Sequence, residues 1–93
     1  MKTVVIQIGN SDNKLTQKQW ADFCNEVYES IYLLAHEIHF SSPSVGWADW
    51  QNAAFIFTIR DSFIGSLKAH LAHIRKGYLQ DSVAWTEGTT EFI

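Results

Sequence analysis

Ninety-three residues, 46% of them hydrophobic and 14% aromatic with four tryptophans, describe one folded domain spanning residues 1–93 and exclude a disordered chain. A formal net charge of −3 excludes the basic footprint of ordinary nucleic-acid binding. One cysteine, Cys24, excludes an internal disulfide, and no apolar run approaches the roughly 20 residues of a membrane-spanning helix.

Met1-Lys2 leads into alternating residues, not into the apolar centre of a signal peptide, so the expected location is the cytoplasm. Thr3 to Ile8 reads as a strand. Val4, Ile6 and Ile8 share one face, and Thr3, Val5 and Gln7 share the other. Gly9-Asn10-Ser11-Asp12-Asn13 is rich in turn formers and ends it.

A helix is expected from Thr16 to about Ala35. Thr16 as N-cap and Gln19 three residues on form a capping box, with Leu15 and Trp20 as the matching hydrophobic staple. Its buried stripe is Trp20, Phe23, Cys24, Val27, Tyr28, Ile31 and Leu34, at spacings of three and four. On that stripe Cys24 is a small apolar core residue.

His36 to Ser41 reads as a second strand, with Ile38 and Phe40 inward and Glu37 and His39 outward. A loop from Ser41 to Gly46 holds the only proline and is followed by Trp47-Ala48-Asp49-Trp50. Asn52 to Ile59 is a third strand, apolar on both faces and therefore central. Asp61-Ser62 can cap a second helix with Ile64, Leu67, Leu71, Ile74 and Tyr78 inward, and Gly77 can end it. Val83 to Thr86 is a fourth strand. Glu87-Gly88-Thr89 reads as a bulge within a longer strand, in preference to a turn into a fifth segment over Thr90–Ile93.

The order β-α-β-β-α-β is the split βαβ, ferredoxin-like plan. It is an α+β sandwich: a four-stranded antiparallel sheet in the order 4-1-3-2 with two helices on one face. That plan brings three distant segments to one edge. They are Asn10, Ser11 and Asp12 at the strand 1 end, Trp47 and Trp50 in the strand 2–3 loop, and Gln80, Asp81 and Ser82 before strand 4. Carboxylates, hydroxyls, amides and indoles at a helix N-terminus suit a partner or a small polar ligand. The same short polar residues also cap turns routinely.

The uncovered face would show Val5, Gln7, Glu37, His39, Ala54, Ile56 and Thr58. It is too apolar at its centre for a solvated face. Val5, Gln7, His39, Ala54 and Ile56 are the expected homodimer interface.

Metal and catalytic signatures are weak. His70 and His73 share a helix face but have no acidic or thiol ligand at the right spacing. His36 and His39 on a strand point apart. No G-x-S-x-G, P-loop or G-x-G-x-x-G is present. No metal and no cofactor is therefore expected.

Three features together resemble small bacterial ferredoxin-like domains. They are Gly9-Asn10-Ser11-Asp12 closing the first strand, Trp20 and Phe23 early in the next helix, and Gln80-Asp81-Ser82 opening the last strand. The resemblance implies the fold and carries no known activity.

The expected function is that of a small non-enzymatic binding protein, such as an inhibitor or ligand-sequestering factor of a mobile element. It would self-associate through the open sheet and engage a partner or small polar ligand at the edge. The rival reading is a small dimeric α+β-barrel-type enzyme, with Asp12 and Asp81 as acid and base. A membrane or nucleic-acid partner is not expected.

Overall fold

Alternating apolar residues and two amphipathic helical stripes settle, among the described residues, into six elements. They are β1 (Lys2–Gly9), α1 (Gln17–Leu34), β2 (Glu37–Pro43), β3 (Asn52–Ile59), α2 (Asp61–Gly77) and β4 (Ala84–Gly88). This is a computed structural model, and it describes residues 1–10, 12–43 and 50–93. The sheet order is β2-β3-β1-β4, with every neighbouring pair antiparallel. That is the expected ferredoxin-like α+β arrangement, read from the opposite edge.

The period-2 pattern of β1 and β3 sends Val4, Ile6, Ile8, Phe55, Phe57 and Ile59 to one face, where all are buried. The helices cover that face with Phe23, Val27 and Ile31 of α1 and Leu67 and Leu71 of α2. Full burial of side chains of this size is worth roughly 1.5–3 kcal/mol each. Trp85 of β4 seals the side under α2. Its ring meets Phe57 edge-on at 6.3 Å and carries Lys68 Nζ 5.1 Å over its centroid. Its indole N–H donates to Glu87 Oε2 at 2.8 Å.

Helix α1 starts where the capping box puts it. Gln19 N–H donates to Thr16 Oγ1 (3.2 Å), and Thr16 N–H donates to Gln19 Oε1 (2.8 Å). Leu15 and Trp20 on either side are both buried. Helix α2 departs from expectation at both ends. Its N-cap is Arg60, without a side-chain cap bond. Asp61 therefore lies inside the first turn, where its charge suits the positive end of the helix dipole. At the far end it is Leu79, not Gly77, that takes the left-handed conformation (φ 56°). The turn extends two residues past the glycine, through Leu79 N–H to Lys76 O and Gln80 N–H to Arg75 O.

Two strands also differ. The pairing of β2 with β3 slips between Ile38 and Phe40: Ile38 faces Phe57, and Phe40 faces Ile56. The extra residue is His39. A bulge puts two residues of one strand against one of the other, which breaks the alternation. Phe40, expected inward, therefore lies on the open face, in the place that alternation assigns to His39. Strand β4 carries no bulge, since Ala84 to Gly88 pairs in unbroken register with Gln7 to Thr3. Residues 89–93 form no fifth strand; the Thr90 hydroxyl bonds to that of Thr3.

The stripe of α1 is narrower than its spacing implies. Tyr28 is 39% exposed, and Cys24 is only partly buried. The core beneath α1 is closed by Phe23, Val27 and Ile31, and among the described residues nothing covers the α1 flank nearest β2.

Candidate functional site

Two hydrogen-bonded corners hold described residues of the expected edge. At the β1 end Asn10 is 2% exposed and turned into the fold. Its Nδ2 donates to Leu15 O (3.1 Å) and to Gln51 Oε1 (3.0 Å). Its Oδ1 accepts from Leu15 N–H (3.1 Å), and its own N–H donates to Gln51 O (2.8 Å). Gln51 Nε2 continues to Gln17 Oε1 (2.8 Å). One buried amide thus ties the end of β1, the approach to α1 and the start of β3 together. Asp12 is exposed. It accepts Lys14 N–H at 3.2 Å and pairs with Lys14 Nζ at 3.4 Å.

At the α2 end Gln80 is buried and donates from Nε2 to Tyr78 O (3.1 Å). Arg75 Nη1 folds over the chain to Gln80 O (2.9 Å) and Asp81 O (3.5 Å). Asp81 and Ser82 stay exposed. Among the described residues no hydrogen bond or ion pair joins the two corners. Trp50 stands 52% exposed, its carbonyl accepting from Asn52 Nδ2 at 3.3 Å. Ser11 and Trp47 lie outside the described residues.

The open face is organised in rows. Cross-strand pairing sets Phe40, Ile56, Val5 and Thr86 in one line across all four strands. Above it run Ser42, Ala54, Gln7 and Ala84; below it run Glu37, Thr58, Thr3 and Gly88. Phe40 is 48% exposed, and Val5, Ala54 and Ile56 are half-buried. A depression of about 240 Å³ opens between Gln7, Phe40, Ser42 and Ala54. His39 is exposed and belongs to the bulge, not to these rows.

A third region escaped sequence reasoning. Trp20, Cys24, Tyr28 and Tyr32 recur every four residues and line the flank of α1. A hollow of about 440 Å³ lies there among Trp20, Cys24, Tyr28, Pro43 and Phe55. Tyr28 and Tyr32 stack with ring centroids 6.4 Å apart and planes at 27°. The signal was present in the spacing, but Tyr32 lies beyond the stripe drawn from the core positions.

Among the described residues three groups have shifted acidities; in the first, the hydrogen-bonded Asp22 carboxylate holds the Lys18 ammonium above its ordinary value. Burial pushes the Cys24 thiol up to about 11, which keeps it an unreactive thiol at neutral pH. The Glu26 carboxylate at its hydroxyl, with burial and the Asp22 charge adding, pushes the Tyr78 phenol up to about 12. Among the described residues no three His, Cys, Asp or Glu side chains are grouped as metal ligands, and no helix is long and apolar enough to cross a membrane. No protein-family model matches the chain, and no curated protein matches it significantly.

Proposed function

We propose that the chain is a small non-enzymatic interaction protein that pairs with a second copy of itself through the open face of its sheet. The supporting observation is the row Phe40–Ile56–Val5–Thr86. Strands lie about 4.8 Å apart, so this row spans about 14 Å. It is flanked on one side by the small and polar Ser42, Ala54, Gln7 and Ala84, and on the other by Glu37 and two threonines. An apolar centre within a polar rim is the usual anatomy of a protein–protein contact. A face related to itself by a two-fold axis matches such rows to each other and closes at two copies. The exposed Asp12, Trp50, Asp81 and Ser82 are the side chains left for a further partner or a small polar ligand. Asn10 and Gln80 are occupied by the fold.

Sedimentation velocity tests the pairing. The parent chain should run as a dimer. Ile56→Glu should weaken the dimer at least about a hundredfold, because an unpaired carboxylate would enter the contact. The far-UV circular dichroism should not change, since Ile56 is not a fully buried core residue. A parent chain that stays monomeric over a wide concentration range, or an Ile56→Glu chain of unchanged mass, would sink the reading.

A further inference from the structure

We propose that the seam between α1 and β2 is a separate docking groove. Its occupant is an extended segment of a partner protein, with an arginine or lysine side chain held against the Tyr28–Tyr32 pair.

Length points to a segment and not to a small molecule. Three hollows adjoin through Tyr28. One of about 440 Å³ lies at Trp20 and Phe55. One of about 360 Å³ is lined by α1 alone, at Glu29, Tyr32 and Leu33, beside the seam. One of about 270 Å³ lies at Ala35, His36, Glu37 and Ile38. Trp20 and Tyr32 are twelve residues apart on one helix, or about 18 Å. Five or six residues of extended chain cover that distance.

Two of the seam's aromatic residues, Tyr28 and Tyr32, are not required by the core. Tyr32 is 69% exposed and Leu33 75% exposed, on a helix whose buried residues are Trp20, Phe23, Val27, Ser30 and Ile31. Exposed aromatic area of this kind marks contact surface more often than solvated surface.

Charge specifies the occupant. Glu29 and Glu37 line the two lower hollows, and no lysine or arginine lines any of the three among the described residues. Lys18, upstream on α1, is already paired with Asp22 at 2.9 Å. Two tyrosine ring faces beside two carboxylates form a place for a cation. A guanidinium stacks on the rings and bonds to a carboxylate in one pose. The hollow at Trp20 and Phe55 is left for an apolar side chain of the same segment, about four residues away.

The test titrates the full-length, isotopically labelled chain with three capped peptides, followed by amide chemical shifts. The peptides share the frame Leu-Ser-Thr-Ser-X-Ser-Thr, with X as arginine, norleucine or glutamate. The arginine peptide should shift Tyr28, Tyr32, Glu37 and Ile38 saturably, and less so as salt is added. The norleucine peptide should bind at least about threefold more weakly, and Tyr32→Ser and Glu37→Gln should each cost the arginine peptide about three- to tenfold. Both positions are exposed, so the variants should stay folded. Equal binding of the norleucine peptide overturns the proposal. So do shifts confined to the open sheet face, or the absence of saturable shifts. The same shifts produced at the same affinity by tetramethylammonium chloride alone would mean a small cation and overturn the segment. Ile56→Glu should keep the seam response, so the groove and the sheet-face pairing fail or survive independently.

Discussion

Asn10 carries three side-chain hydrogen bonds while only 2% exposed. Removing it would strand the Leu15 N–H, the Leu15 carbonyl and the Gln51 amide. A buried polar group left without its partner costs about 1–3 kcal/mol. Asn10→Ala is therefore expected to lower unfolding free energy by about 3 kcal/mol in urea titration. A change below about 0.5 kcal/mol, the size of an ordinary surface substitution, would show that the amide does not hold this corner. In the sequence Asn10 is one of five turn formers in a row, and nothing there distinguishes a loop-binding amide from a ligand-binding one. Its orientation depends on Gln51, forty-one residues away. The Leu79 conformation was hidden for a related reason. Gly77 is the better candidate for a left-handed residue, but the bonds to Lys76 and Arg75 close the turn two residues later.

Between elements, the best-defined joint of the two helices is at the α2 end. Phe23 of α1 lies with its ring centroid 5.1 Å from that of Tyr78, and the Tyr78 phenol is held near Glu26 with its acidity pushed to about 12. The ordinary phenol titrates near 10. The folded chain thus keeps this proton at pH values where the unfolded chain has lost it. Stability from this group is complete below about pH 10 and is lost as pH rises towards 12. Stability curves of the parent and of Tyr78→Phe should therefore run parallel below pH 9 and converge above pH 10, by denaturant titration. Parallel curves throughout would mean that Glu26 does not hold the phenol. Elements were legible wherever their signals are local. Thr16 and Gln19 are three residues apart, and the structure uses both of their reciprocal bonds. Glu37-Ile38-His39-Phe40 alternates without a flaw, so the bulge could not be read there. It exists only in the pairing of β2 with β3, where the register slips by one residue. The open face was legible in β1 and β3 and misread in β2 for that reason. The hydrogen bonds that occupy Asn10 and Gln80 were not legible at either segment.

Across the whole molecule, the sheet has two borders, β2 and β4. A straight border strand offers unpaired amides and carbonyls to any passing strand. Strand β4 is five residues long. Strand β2 ends at Pro43, which has no N–H to offer, and it is bent by the extra residue at His39. Deleting His39 should restore simple alternation with every other pairing intact, since Ile38 and Phe40 already face consecutive residues of β3. The deleted chain is expected to fold, and to form thioflavin-positive aggregates at concentrations where the parent remains clear. Equal clarity of the two would show that the bulge does not guard the border. The displaced residue then has a meaning for assembly beyond where it sends Phe40. It interrupts the β2 border, along which strands of other copies could add, and turns a bulky apolar ring to the open face, where the proposed two-fold contact would close after a single addition. On the pairing proposed above, a one-residue slip in one strand would separate a terminating association from a polymerising one.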